Sequence, residues 1–448
     1  MEPIRSILVD ADVWPRFNWA SFDQDKILSY GHHQYTVYWD ADKVLVVARR
    51  DLRSHRVQAL RLPRYTLTIQ PTDGHRNTVL GISPRDGRLH LSWDHHNNPL
   101  RYTRTRRQFL TDPPARMSEE DFEPAQPLAP GAPQRVTYPR FLNDGDGRLY
   151  FVYRSGGSGN GRTVFSRYDS GTGTWSISVG RLFGSEGTYG PWGNSRSRNA
   201  YLHDILFDVN NRLHVTWVYR EAGSSWASNH DLHYAYSDDC GVTWMNNDGT
   251  PIAHLRRGDP IVLGDPGIVV QKIPVYSWLM NQCAMALDAD NQPHVATYRL
   301  PDTARPERLT HSPPRDVAAR LRFFHYWRRA DGSWHSSGPL TLPEGLRLRR
   351  PHLVIRGDTA VLYWASNQGF RCFVARASQG WGPWQLLEMT GPAFTANDAC
   401  KHDRRLLRDK GILSFAADPR GAERGKGYAI LDFDVQDFTT ATLKATSR

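Results

Sequence analysis

Cysteine is scarce in this chain: Cys240, Cys283, Cys372 and Cys400 are its four, with no C-x-x-C pair in 448 residues. That excludes a disulfide-dense scaffold and leaves the redox compartment open. No run of eighteen apolar residues occurs, so no membrane-spanning helix and no membrane partner are expected. The opening MEPIRSILVDADVWP has no charged start followed by an apolar stretch, the mark of an export leader. A leader already removed would leave the same picture, so both a secreted or periplasmic and a cytoplasmic home are compatible with the chain. Sustained apolar periodicity of the helical kind is also missing, which argues against α/β and all-helical classes. Acidic residues are the minority: 46 Asp and Glu face 56 Lys and Arg, a net charge of +10 spread along the chain. An anionic partner suits that balance. No helix-turn-helix, zinc-finger or RNP pattern accompanies it, so nucleic acid is set aside in favour of a polyanionic sugar.

What is present is turn chemistry and aromatic residues: 36 Gly, 29 Pro and 15 Trp. A polar turn followed by a short strand alternating large apolar residues recurs seven times. The instances are DADKVLVVARR from Asp40, PRDGRLHLSWDHH from Pro84, NDGDGRLYFVYR from Asn143, DVNNRLHVTWVYR from Asp208, DADNQPHVATYR from Asp288, GDTAVLYWAS from Gly357 and RDKGILSFAADP from Arg408. Their spacing, on the order of 45 to 80 residues, is what a four-stranded blade consumes. Ser237, Asp239, Gly241, Thr243 and Trp244 spell S-x-D-x-G-x-T-W, an Asp-box turn that marks propeller folds and carries no chemistry. Looser echoes stand at GTGTW, ADGSW and GWGPW. The expectation is all-β: one seven-bladed β-propeller domain over 1–448 with four-stranded antiparallel blades, monomeric in solution. Asp112 to Pro133 and Thr303 to Asp316, rich in Pro with Ala or Arg, read as long connections.

Chemistry gathers in the second and third repeats. A hairpin turning at Pro84 to Gly87 pairs residue 83 with 88, and that register carries His75 opposite His96. A turn around Asp144 to Gly147 sets Tyr138 roughly opposite Arg154. Equivalent strand ends of neighbouring blades converge near the central channel, where propellers bind ligands. Arg154 runs into SGGSGNG, a composition that lets backbone approach a ligand closely, or that makes an ordinary surface loop. Taken one at a time, each of the four residues reads more readily as a surface or satisfied polar group, and it is their shared register, with the motifs around them, that reverses this.

The segments GHHQYTVYWDADKVLVVARRDL, TDGHRNTVLGI, GRLHLSWDHHNNPLRY, VTYPRF, YRSGGSGNG, NHDLHYAYSDDCGVTW and NQCAMALDADNQPHVATY resemble the BNR-4 propellers of carbohydrate metabolism. That group holds ulvan lyases, rhamnosyl–glucuronate lyases active on arabinogalactan or gum arabic, and related α-L-rhamnosidases. The resemblance covers about residues 30 to 300 and implies a lyase site at His75, His96, Tyr138 and Arg154. It implies a polymer of rhamnose and glucuronate as partner, with the rhamnose-capped side chains of gum arabic and arabinogalactan favoured over ulvan. His95 shares the motif, but His96 has the matching offset to Pro99 and Leu100.

The implied reaction is β-elimination across C4 and C5 of the glucuronate. Its C5 proton becomes labile only when the neighbouring carboxylate is neutralised, a task for a guanidinium such as Arg154, with a second hydrogen bond from His96. C5–H and O4 share a ring face in D-glucuronate, so Tyr138 can serve as base and acid, and His75 is the other base. Arg220, Asn229, His230, Asn281 and Gln282, with His95, are the expected substrate contacts. No cofactor enters the chemistry, while the fold leaves room for a structural calcium or zinc ion. His230, Cys240 and Cys283 form a partial zinc set, with a buried thiol the commoner reading of each cysteine. The rival reading is an exo-α-L-rhamnosidase working through a single His on the opposite face, with His33 of GHHQY in the corresponding region. A non-catalytic sugar-binding propeller is the other rival, and it needs no paired acid and base.

Overall fold

A computed structural model describes residues 1–14, 18, 25–66, 75, 77–125, 134–176, 180–193, 195, 197–223, 225–301, 309–396, 398, 400–419 and 427–446. Parts of the connections expected at 112–133 and 303–316 lie outside these residues, as does most of TDGHR.

Seven antiparallel sheets follow one another along the chain, forming a seven-bladed β-propeller. Blade 1 holds Ile27–Tyr30, His33–Trp39, Val44–Asp51 and Val57–Thr66. Blade 2 holds Thr78–Ser83, Arg88–Trp93 and Tyr102–Arg104. Blade 3 is built from Val136–Asn143, Leu149–Ser155, Arg162–Asp169 and Thr174–Ser176. A fifth strand, His96–Asn98, crosses from blade 2 and pairs with its inner strand. Blade 4 has six strands, from Asn199–Phe207 inside to Pro251–His254 outside, with Val269–Gln271 added to Asn229–Ser237. Blades 5 and 6 have four strands each, and blade 7 combines Phe394–Thr395, Ile412–Pro419 and Tyr428–Asp434 with Arg5–Asp10. Among the described residues the four-stranded plan is modified in blades 2, 3 and 4, where short strands cross over or are appended.

The repeated turn is an Asp carboxylate accepting from the backbone four residues on. Asp144 accepts from the Arg148 amide at 2.8 Å, Asp208 from Arg212 at 2.8 Å and Asp288 from Gln292 at 2.7 Å. Each of these joins the first and second strands of its blade. Asp40 makes the same bond to Val44 at 2.9 Å, yet its turn joins the second and third strands of blade 1. The motif closes a tight antiparallel connection without specifying which one, so the repeat read at Asp40 is displaced by one strand.

Apolar side chains fill the spaces between blades. Leu142, Tyr150 and Val152 of blade 3 pack with Ile205, Val215 and Trp217 of blade 4 in one buried cluster. Each such side chain contributes about 1.5–3 kcal/mol when fully buried. The Asp-box holds the outer edge of blade 4: Asp239 accepts from Val242 and Thr243 amides at 3.1 and 2.8 Å, and Trp244 is fully buried.

Candidate active site

The Thr78–Ser83 and Arg88–Trp93 ladder keeps the register expected of its turn, with Ser83 opposite Arg88 and Thr78 opposite Trp93. Beyond the ladder the His75 and His96 rings stack face to face, centroids 4.0 Å apart and 13° from parallel. His96 is fixed by its crossing strand, where it pairs with Thr137 of blade 3. The Asn97 amide adds a 3.0 Å bond to the Thr137 hydroxyl. The two blades are thereby tied at the point where the imidazoles meet Tyr138, whose ring centroid is 5.9 Å from that of His75.

Tyr138 does not face Arg154 directly. Thr137 is the partner of Arg154, Arg140 that of Val152, and Tyr138 and Pro139 share a bulge between them. The bulge puts Tyr138 at φ 56°, a left-handed conformation that costs a non-glycine residue about 1–3 kcal/mol. Its effect is to turn the phenol out of the strand's alternation and beneath the Arg154 guanidinium, which lies 4.7 Å from the ring centre.

Arg154 is 6% exposed, its Nε donates to the Gly156 carbonyl at 3.2 Å, and its Nη1 has no hydrogen-bond partner among the described residues. The glycine-rich run explains itself in part by this side chain rather than by a ligand. A Cβ on Gly161 would fall 2.5 Å from Arg154 Cδ, so only glycine lets the loop pass.

Tyr201, at the start of the blade 4 inner strand, completes the cluster and was not singled out in the sequence. Its ring lies between Arg220 at 4.1 Å and Arg154 at 6.0 Å, and its hydroxyl is 2.7 Å from that of Ser158. The position was hard to see because Tyr201 precedes a bulge at Leu202–Asp204, which breaks the simple offset from the Asp208 turn. An aromatic residue opening an inner strand, as Tyr138 does, is the signal that existed. Burial raises the Tyr138 phenol above its ordinary pKa, against the pull of Arg154. Burial alone would raise Tyr201 too, but Arg220 and Arg154, helped by Ser158 and Asn199, bring it below the ordinary value.

Arg220 donates to Asn229 at 2.9 Å and to Asn281 at 2.6 Å, and Asn281 in turn donates to Gln282 at 2.8 Å. Asn229 and Asn281 are buried, and they hold Arg220 from behind. His230 is fully buried between Glu221 at 2.9 Å and Asp231 at 3.1 Å. His95 is also fully buried, its Nε2 3.0 Å from the Ser92 hydroxyl and 3.2 Å from the Arg101 backbone. Of the expected substrate contacts, Arg220 is the charged group that reaches the quartet.

His230, Cys240 and Cys283 do not come together, and no group of three metal-ligating side chains exists among the described residues. Both His230 nitrogens face carboxylates, and Cys283 is a buried thiol against the Thr297 hydroxyl and the Met280 carbonyl. The partial zinc set read from the sequence is corrected accordingly.

His33 stands at the far end of blade 1, 4.0 Å from Asp51. Thr78, on the quartet's side, reaches the Val37 carbonyl near the other end of the same strand. A cavity of about 790 Å³ also opens away from the quartet, among Pro84, Gly147, Val209 and Arg408. Its charges are largely matched internally, Asp204 by Arg140 and Lys401 and Arg404 by Asp25. The stacked His75 and His96, Tyr138 and Arg154 are clustered at the opposite end.

A family model described as "BNR repeat-containing family member" matches residues 33–339, well over half of the chain. The chain belongs to this BNR-repeat family. The BNR-repeat protein is 26% identical over 291 residues to the long isoform of ulvan lyase from Pseudoalteromonas sp. (strain PLSV), covering 54% of this chain and 28% of that one. With the long isoform from Alteromonas sp. (strain LOR) it shares 33% over 144 residues, 30% of this chain and 13% of the relative. The BNR-repeat chain thus spans about a quarter or less of these relatives. The crystal structure of the polysaccharide lyase Uly1 superposes with a TM-score of 0.71 at 14% identity, covering 97% of this chain and 100% of the other. A PL25 ulvan lyase bound to -[GlcA(1-4)Rha3S]- gives 0.67 at 14% identity over 96% of both chains. At such identity these two likenesses establish the seven-bladed fold.

Proposed function

We propose that this protein is a polysaccharide lyase that cleaves L-rhamnosyl-α-1,4-D-glucuronate linkages by β-elimination. The observation that carries the proposal is the buried Arg154 guanidinium, with Nη1 unpartnered among the described residues, lying over Tyr138 beside the stacked His75 and His96. A fork of N–H donors matches a uronate carboxylate, and neutralising that carboxylate stabilises the charge that develops when C5–H breaks. In the elimination the C5–H electron pair forms the C4–C5 double bond, the C4–O4 bond breaks, and O4 takes a proton. Burial keeps Tyr138 protonated, which suits it to give the proton to O4. In this reading His75 takes the C5 proton on the same side, and His96 and Arg220 bind the acidic sugar.

Ulvan is the first substrate to test, because relatives in three genera carry the name ulvan lyase and one similar fold was solved with a glucuronate–rhamnose ligand. Rhamnose-capped gum arabic, which has the same linkage type, is the second. Incubation with each, followed by ultraviolet detection of the unsaturated uronate, is the assay. Cleavage is expected with native polymer and not with polymer whose glucuronate has been reduced to glucose. Cleavage of the reduced polymer, or sugar release without the double bond, would replace elimination by hydrolysis.

A further inference from the structure

We propose that Trp192 and Tyr276 form a sugar-stacking subsite beyond the arginine cluster, holding a deoxyhexose of the same polysaccharide chain several rings from the cleaved bond. The segment that leads into the blade 4 inner strand makes a tight turn, Tyr189-Gly190-Pro191-Trp192-Gly193, in which the Trp192 and Gly193 amides donate to the Tyr189 carbonyl at 2.9 and 2.7 Å. This turn is pinned from below. Arg198 donates to the Ser185, Glu186 and Gly187 carbonyls at 3.2, 3.2 and 2.6 Å. Ser195 and Ser197 both donate to the Glu221 carbonyl, at 2.8 and 2.6 Å. Tyr189 stacks on buried His230 at 3.7 Å and 13°. Trp192, the residue the turn carries outward, stays half-buried, with its ring centroid 6.2 Å from that of half-buried Tyr276. Tyr276 is held in turn by its own amide, which donates to the Ala227 carbonyl at 2.6 Å.

The turn is tied to the reacting centre through the interior: Arg154 and Arg220 share the Tyr201 ring, Arg220 donates to buried Asn229, and the next residue, buried His230, stacks under Tyr189. An indole face accepts the apolar face of a pyranose, and a 6-deoxy sugar such as rhamnose presents a methyl group and axial C–H bonds for such contact. Mounting the indole on a turn closed by two backbone bonds, with five more holding the segments that flank it, lowers the entropy lost on binding. Placed beyond the cations, it supplies affinity that depends on chain length and not on charge.

The subsite rests on the polysaccharide-lyase reading only for the identity of its probe. In a Tyr138→Phe background, where turnover is slowed about 10²- to 10³-fold, binding of ulvan oligosaccharides of graded length is measured by calorimetry. Trp192→Ala is expected to weaken the long oligosaccharides about 10-fold and leave the disaccharide unchanged, with Trp192→Phe restoring most of the loss. Equal affinities at every length overturn the proposal. So does a loss of the same size at every length, which would mean that the turn merely supports the arginine cluster. Failure of the lyase reading is seen separately, as wild-type protein that leaves no double bond on the same oligosaccharides.

Discussion

The Arg154 guanidinium lies 4.7 Å above the centre of the Tyr138 ring, on a residue whose backbone is held at φ 56°. Cation and phenol are therefore presented as one unit, and removing either disturbs the other. Tyr138→Phe keeps the ring under Arg154 and removes only the proton donor, so kcat is expected to fall about 10²- to 10³-fold with KM little changed. Arg154→Ala is expected to lose at least as much in kcat/KM, and Arg154→Lys to recover little, because a point charge lacks the fork. Steady-state kinetics on ulvan with circular dichroism as the folding control decides this, and near-normal rates in either folded variant would remove the assignment.

Tyr201 separates position from chemistry. Tyr201→Phe loses the Ser158 contact but keeps a ring between Arg154 and Arg220, whereas Tyr201→Leu loses the ring as well. Because a cation–π contact contributes about 0.5–2 kcal/mol, the leucine variant should raise KM on the order of 10-fold and the phenylalanine variant less than twofold. If Tyr201→Phe instead lowers kcat by about 10²-fold, the phenol itself handles a proton.

His33 provides the control on the two ends of the propeller. Its strand places it opposite the quartet, so His33→Ala is expected to stay within about twofold of wild type in forming the double bond. Loss of rhamnose release in this variant, with His75→Ala unaffected, would move the chemistry to the other end.

His230 predicts a pH-dependent contribution to stability. Burial opposes its charge, but Asp231 and Glu221 hold its pKa above the ordinary value, while both carboxylates are lowered. The part owed to His230 is fully present below about pH 6.5, its unfolded value, and is lost as pH rises through the raised folded value. The part owed to Glu221 and Asp231 is present above about pH 4 and is lost as pH falls through their lowered values. Buried neutral histidines act in the opposite sense: His203 and His233, lowered to about 3, stabilise above pH 6.5 and lose that contribution in acid. The measurable quantity is thus the difference in melting temperature between wild type and His230→Gln. It should be largest between about pH 4.5 and 6.5 and shrink above that range. A difference independent of pH would show that folding leaves the pKa of His230 unchanged, and one that grew as pH rose through about 6.5 would show that His230 is neutral in the folded protein.

The hairpin at Pro84–Gly87 was legible from sequence because a tight turn fixes pairing residue by residue, and that register brought His75 and His96 together. Tyr138 and Arg154 were legible only approximately. A bulge inserts a residue that no periodicity announces, and here it exchanged Tyr138 for Thr137 as the cross-strand partner. Asp40 misled for a related reason, its carboxylate satisfying the same backbone amides at a different hairpin. The roles of Asn229, His230 and His95 depend on burial at contacts between strands, which composition does not reveal. Tyr201 was missed because its importance lies in two arginines from two different blades.

Asp432 is where the circle is fastened. Arg50 from blade 1 donates to it at 2.6 Å, and Arg5 from the opposite end of the chain at 3.5 Å. The strand carrying Asp432 pairs on one side with Ile412–Pro419 and on the other with Arg5–Asp10. During synthesis the segment Arg5–Asp10 therefore emerges well ahead of the strand it pairs with and waits until residues near 434 have left the ribosome. Until that clasp closes, two strand edges remain available to other chains, which makes the final blade the step most exposed to aggregation and the first place where a chaperone would help.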